Sequence, residues 1–82
     1  MSKSFQFEGI GVVDVKENTE DFSLKVELRD MHISKDIKFF SPQLLNGFFE
    51  DISESNVRDI ALSAMRDKIE LSARKISLIK KP

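Results

Sequence analysis

Between Phe22 and Arg29 the chain alternates without a break. Phe22, Leu24, Val26 and Leu28 fall on one side, and Ser23, Lys25, Glu27 and Arg29 on the other. A period of two gives a strand one buried face and one wet face. A similar alternation starts earlier, with Phe5 and Phe7 against Gln6 and Glu8. It slips at Gly9, after which Ile10 and Val12 take the apolar side. Glycine at a phase slip marks a bulge or kink, so residues 3–16 are predicted as one bent first strand. The polar run Glu17–Asp21 lacks the Asn-Gly signal of a two-residue turn and predicts a longer hairpin loop. The phase slips again at Arg29-Asp30, where Met31 and Ile33 become the apolar set. Ser34-Lys35-Asp36 then predicts a tight turn into a third strand, Ile37 to Phe40.

At Ser41-Pro42 the period changes. Serine caps free helix N–H groups, and proline suits the first helical position, where its missing N–H costs nothing. The helix that follows holds Leu44, Leu45, Phe48, Phe49 and Ile52 and is interrupted by Asn46-Gly47, so it is either one weak helix or two short turns. Ser53 or Ser55-Asn56 caps a longer helix, Glu54 to Ala73. Its apolar residues Val57, Ile60, Ala61, Leu62, Ala64, Met65 and Ile69 spread over an arc of about 200°. A sheet needs about half that arc, so the remainder is predicted to touch the preceding helix. Ile76, Leu78 and Ile79 suggest a last strand, with helical continuation as the alternative. The assembly is an α+β domain of order β-β-β-α-α-β, with three N-terminal antiparallel strands, two helices packed on one sheet face and one C-terminal strand.

Composition narrows the function more than the fold. Eighty-two residues, 40% hydrophobic and 33% charged, make one domain, 1–82, with a small core. There is no cysteine, which excludes disulfides, thiolate metal sites and cysteine nucleophiles. Residues 1–8 lack the apolar run of a secretory signal, and no stretch is apolar enough for a membrane span, so a cytoplasmic protein is expected. The net charge of −1 is unevenly spread. Residues 41–60 carry Glu50, Asp51, Glu54 and Asp59 against Arg58 alone. Residues 61–82 carry six cations against Asp67 and Glu70.

Chemical constellations are sparse. His32 is the only histidine and has no evident base, nucleophile or orienting partner in the sequence. Asp51-x-Ser53-x-Ser55-Asn56-x-x-Asp59 has the oxygen spacing of a calcium loop. Asn56, however, stands where the turn needs glycine, and Leu62 where a bidentate glutamate belongs. The segment reads instead as a capping turn between helices. Lys3-Ser4-Phe5-Gln6-Phe7 lacks both glycines of the Lys/Arg-Gly-Phe-Gly-Phe strand on which RNA-recognition domains stack bases, and its phenylalanines are assigned to the core. Gly9-Ile10-Gly11 is too short for a phosphate loop. No enzyme activity, cofactor, metal or small-molecule substrate is expected.

What remains is a surplus of apolar side chains. Phe39-Phe40 and Leu44-Leu45-x-x-Phe48-Phe49 place four of the seven phenylalanines in eleven residues. Neighbouring residues on a strand or helix point in different directions, so one small core is not expected to take them all. The expected function is a non-catalytic protein-interaction domain, a small adaptor, inhibitor or homo-oligomeric accessory protein. It would bind another protein or itself through residues 39–52. The candidate interface is Leu44, Leu45, Phe48 and Phe49, with Glu50 and Asp51 at the rim. The alternative is a weak nucleic-acid-binding module using Arg74, Lys75, Lys80 and Lys81 with Lys25 and Arg29.

Overall fold

Both helices follow all four strands. The computed structural model describes the backbone of residues 1–80 and the side chains of residues 1–73. The order is β1 (Ser2–Phe7), β2 (Gly11–Asn18), β3 (Ser23–Leu28), β4 (Ile33–Lys38), α1 (Pro42–Asp51) and α2 (Glu54–Lys80). The strands form one antiparallel meander in the order β1-β2-β3-β4. The α+β class and a four-stranded sheet therefore hold, but the predicted order β-β-β-α-α-β does not.

Four differences account for the change. The segment predicted as one bent strand is a hairpin: Gly9 and Gly11 take φ of 82° and 95°, and the Ile10 amide donates to the Phe7 carbonyl. Two glycines in the left-handed region reverse the chain where one would only have kinked it. The second slip is a 3-10 turn, Arg29–Met31, closed by His32 at φ 54°. The polar residues Ser34-Lys35-Asp36, predicted as a turn, run straight through β4. Lys35 lies on the helix-covered face, where its stem crosses apolar ground and its amine emerges at the sheet edge. The predicted C-terminal strand is absent because α2 continues to Lys80. No glycine or proline interrupts residues 54–80, and extending a helix costs less than ending one without a breaker.

The sheet register explains how the layers hold together. Phe5, Val13, Leu28 and Ile33 form one inward row, and Lys3, Val15, Val26 and Lys35 the next. The valines and Leu28 are fully buried, and Leu45, Phe49, Ile52, Val57, Ala61 and Ala64 close over them from the helices. The two edge lysines clamp the helical layer from opposite sides. Lys3 Nζ donates to the Phe49 carbonyl at 2.7 Å and the Glu50 carbonyl at 3.2 Å, and lies 4.8 Å from the centre of the Phe49 ring. Since α1 has no basic residue in its last turn, β1 supplies the cation that its free carbonyls favour. Lys35 Nζ donates to Asp67 at 2.8 Å and to the Ser63 hydroxyl at 2.9 Å on α2.

α2 crosses the sheet. Its first turns lie beside Phe7 of β1, and Asp67 reaches Lys35 of β4, the opposite edge. Thirteen residues remain after Asp67, about 20 Å of helix at 1.5 Å per residue. This overhang fits a molecule 50 Å long but only 17 Å thick. The wide apolar arc of α2 is not covered by α1 as predicted: Leu62 is 38% exposed and Ile69 68%. No helix among the described residues is long and apolar enough to cross a membrane.

Candidate functional site

α1 starts where the sequence says it should. Ser41 Oγ accepts the Leu44 amide at 3.2 Å, Pro42 occupies the first turn, and the helix runs unbroken through Gly47. Leu45 and Phe49, four residues apart, share the face that meets the sheet, and their exposures are 1% and 2%. They belong to the core, which removes them from the predicted interface. Each of their neighbours is displaced by 100° around the helix. Leu44 is 55% exposed, and Phe48 is half-buried with its ring tilted on Phe39, centroids 5.4 Å apart. Phe40, at the β4–α1 corner, points almost wholly into solvent. Glu50 and Asp51 are exposed, and the Glu50 carbonyl is held by Lys3.

An open apolar groove of about 560 Å³ lies along this side of α1. Phe39, Gln43, Leu44, Phe48, Asp51, Ile52 and Asn56 line it. Gly47 also lines it, and a Cβ built there would meet nothing within 4 Å. Glycine in a helix interior costs about 1 kcal/mol relative to alanine, and here its effect is to leave the groove wider. Phe39, Gln43, Gly47 and Ile52 lie within the predicted surface of residues 39–52 but were not among its six named interface residues, and Asn56 lies beyond it. The glycine inside a helical pattern was the signal that could have singled out Gly47.

The calcium-like segment is a capping turn. Ser53 Oγ accepts the Asn56 amide at 3.2 Å and donates to Asn56 Oδ1 at 2.6 Å, fixing the start of α2. Among the described residues no cluster of histidine and carboxylate side chains is placed to hold a metal ion. His32 is exposed and closes a turn, a position its side chain tolerates better than most.

The open sheet face carries alternating signs: Asp14, Glu27 and Asp36 lie among Lys16, Lys25 and Lys38. Arg29 gives its fork to Asp14 at 2.8 and 3.0 Å, and the Ser4 hydroxyl also donates to that carboxylate. Hydrogen bonds from Arg29 and then Ser4 hold the Asp14 carboxyl below its ordinary value, and the same pairing raises Arg29. The Ser23 hydroxyl likewise lowers Asp21 in the β2–β3 loop. Of the residues in the nucleic-acid alternative, Arg29 is thus engaged. The side chains of Arg74, Lys75 and Lys80, and all of Lys81, lie outside the described residues.

Comparison with protein-family models, curated proteins and solved structures finds no match.

Proposed function

We propose that this chain is a non-catalytic, cytoplasmic protein-interaction domain that receives an apolar segment of a partner in the groove along α1. The observation that carries this reading is Leu44, 55% exposed, in a groove that it lines with Phe39, Phe48 and Ile52. Fully burying a leucine or phenylalanine side chain yields about 1.5–3 kcal/mol each. Covering Leu44 and the open part of Phe48 would therefore supply a few kcal/mol toward the cost of association. The exposed Asp51 in the groove lining favours a partner with a cation beside its apolar anchor.

Gly47 provides the test. Gly47→Leu places a side chain in the groove while improving helix propensity by roughly 0.8 kcal/mol, so lost binding cannot be blamed on lost folding. Affinity capture with mass spectrometry would compare the native chain with Gly47→Leu. Proteins retained by the first and released by the second support the groove. Identical capture by both, with the variant at least as stable, sinks it.

A further inference from the structure

The sheet has two open edges, β1 and β4, and an open edge offers main-chain donors and acceptors to any other strand. The ladders show which groups are free. The Glu17 amide donates to the Met1 carbonyl, and the Phe39 amide to the Phe22 carbonyl. Antiparallel pairing alternates along a strand, so Ser2, Ser4 and Gln6 of β1 turn their amides and carbonyls outward. Ser34, Asp36 and Lys38 of β4 do the same. Both edges also carry a lysine on the helix-covered face, and the two fall in one row, Lys3–Val15–Val26–Lys35. A strand added to either edge would continue that row and enclose the lysine amine between itself and the helices.

We propose that Lys3 and Lys35 are edge guards, which close both sides of the sheet to strand addition by another copy of the chain or an unfolded segment. Inward-pointing charges on edge strands act this way because enclosing them takes an ion out of water. Lys35 is 31% exposed at its side chain and Asp67, which pairs with it, 58%, so an added strand would desolvate both. The Lys3 amine is bound to the neutral carbonyls of Phe49 and Glu50, and enclosure would bury its charge beside them. If β4 met its own copy antiparallel, Lys35 would stand opposite an isoleucine or a second lysine in the registers that overlap most. The contacts with α1 and α2 hold the two amines in place at the edges. This inference stands on the sheet register and is independent of the groove reading.

The test compares the full native chain with Lys35→Ile, which joins Ile33 and Ile37 in a continuous apolar edge. Lys35→Met is the second variant, since it keeps the stem and removes only the charge. Lys35→Arg retains the charge at the edge. Lys25→Ile adds the same apolar group to the open face of β3, a central strand with no free edge. Light scattering and sedimentation over a wide concentration range measure self-association, and circular dichroism follows the fold. Lys35→Ile and Lys35→Met should associate at least about tenfold more tightly than the native chain, with native circular dichroism retained. Lys35→Arg and Lys25→Ile should behave like the native chain. Hydrogen exchange should show the Ser34, Asp36 and Lys38 amides newly protected in the associated variants. The proposal is overturned if both Lys35 variants associate no more than the native chain, or if Lys25→Ile associates as strongly. Association that leaves those three amides unprotected, or that comes only with loss of the native circular dichroism, overturns it as well.

Discussion

Leu44 and Leu45 are chemically identical neighbours, and the structure assigns them opposite roles. Leu45 is 1% exposed and Leu44 55%. Leu45→Ala removes buried methyl groups and leaves a cavity in the core that the sheet and helices share, a change that costs about 2–5 kcal/mol in closely packed cores. Leu44→Ala removes a side chain already half in water, for about 0.5–1 kcal/mol. A domain of this size has a total stability of about 4–12 kcal/mol, so the first variant loses a large fraction of it and the second little. Thermal midpoints should separate accordingly, by about 4–8 °C per kcal/mol. Urea unfolding followed by circular dichroism measures both, and an unchanged slope would show that the denatured state is unaffected. Equal losses, or a greater loss for Leu44→Ala, would mean that α1 is rotated about its axis and that the groove is misplaced.

Other contacts give sharp expectations too. Lys3→Met keeps the stem but removes the amine that caps α1. A loss of about 1–2 kcal/mol is expected in chemical denaturation, and a loss below about 0.3 would show the clamp to be inert. Ser41→Ala should cost about 1 kcal/mol, with Ser41→Asn restoring most of it. The Asp14 carboxyl titrates lower in the folded protein than its ordinary 3.8, so its stabilising contribution is complete above that value and disappears as pH falls through the lowered native one. Asp14→Asn should therefore flatten the acid limb of the stability–pH curve below about pH 4 while leaving its shape near neutrality unchanged. An unaltered acid limb would count against the Arg29 pairing.

Much of the architecture was legible because local rules decided it. The alternation of β3, the Ser41-Pro42 start of α1 and the Ser53 cap all follow from side-chain period and backbone chemistry, which neighbours in sequence suffice to set. The absence of cysteine and the scarcity of catalytic groupings were equally plain from the chain itself. Local rules failed where a residue's role depended on something distant. Gly9 and Gly11 act as a pair that reverses the chain, so a single kink underestimated them. Lys35 looked like part of a turn because its partners, Ser63 and Asp67, come from a helix some thirty residues on. The same dependence governs the candidate site. The sequence determined that more apolar groups lay between residues 39 and 52 than one core face could hold. Only the tertiary structure decided which of them were left over. Rotation of α1 about its axis by 100° per residue sends Leu45 and Phe49 to the sheet and leaves Leu44 and Phe48 at the groove, and that rotation is set by packing against strands far away in the chain.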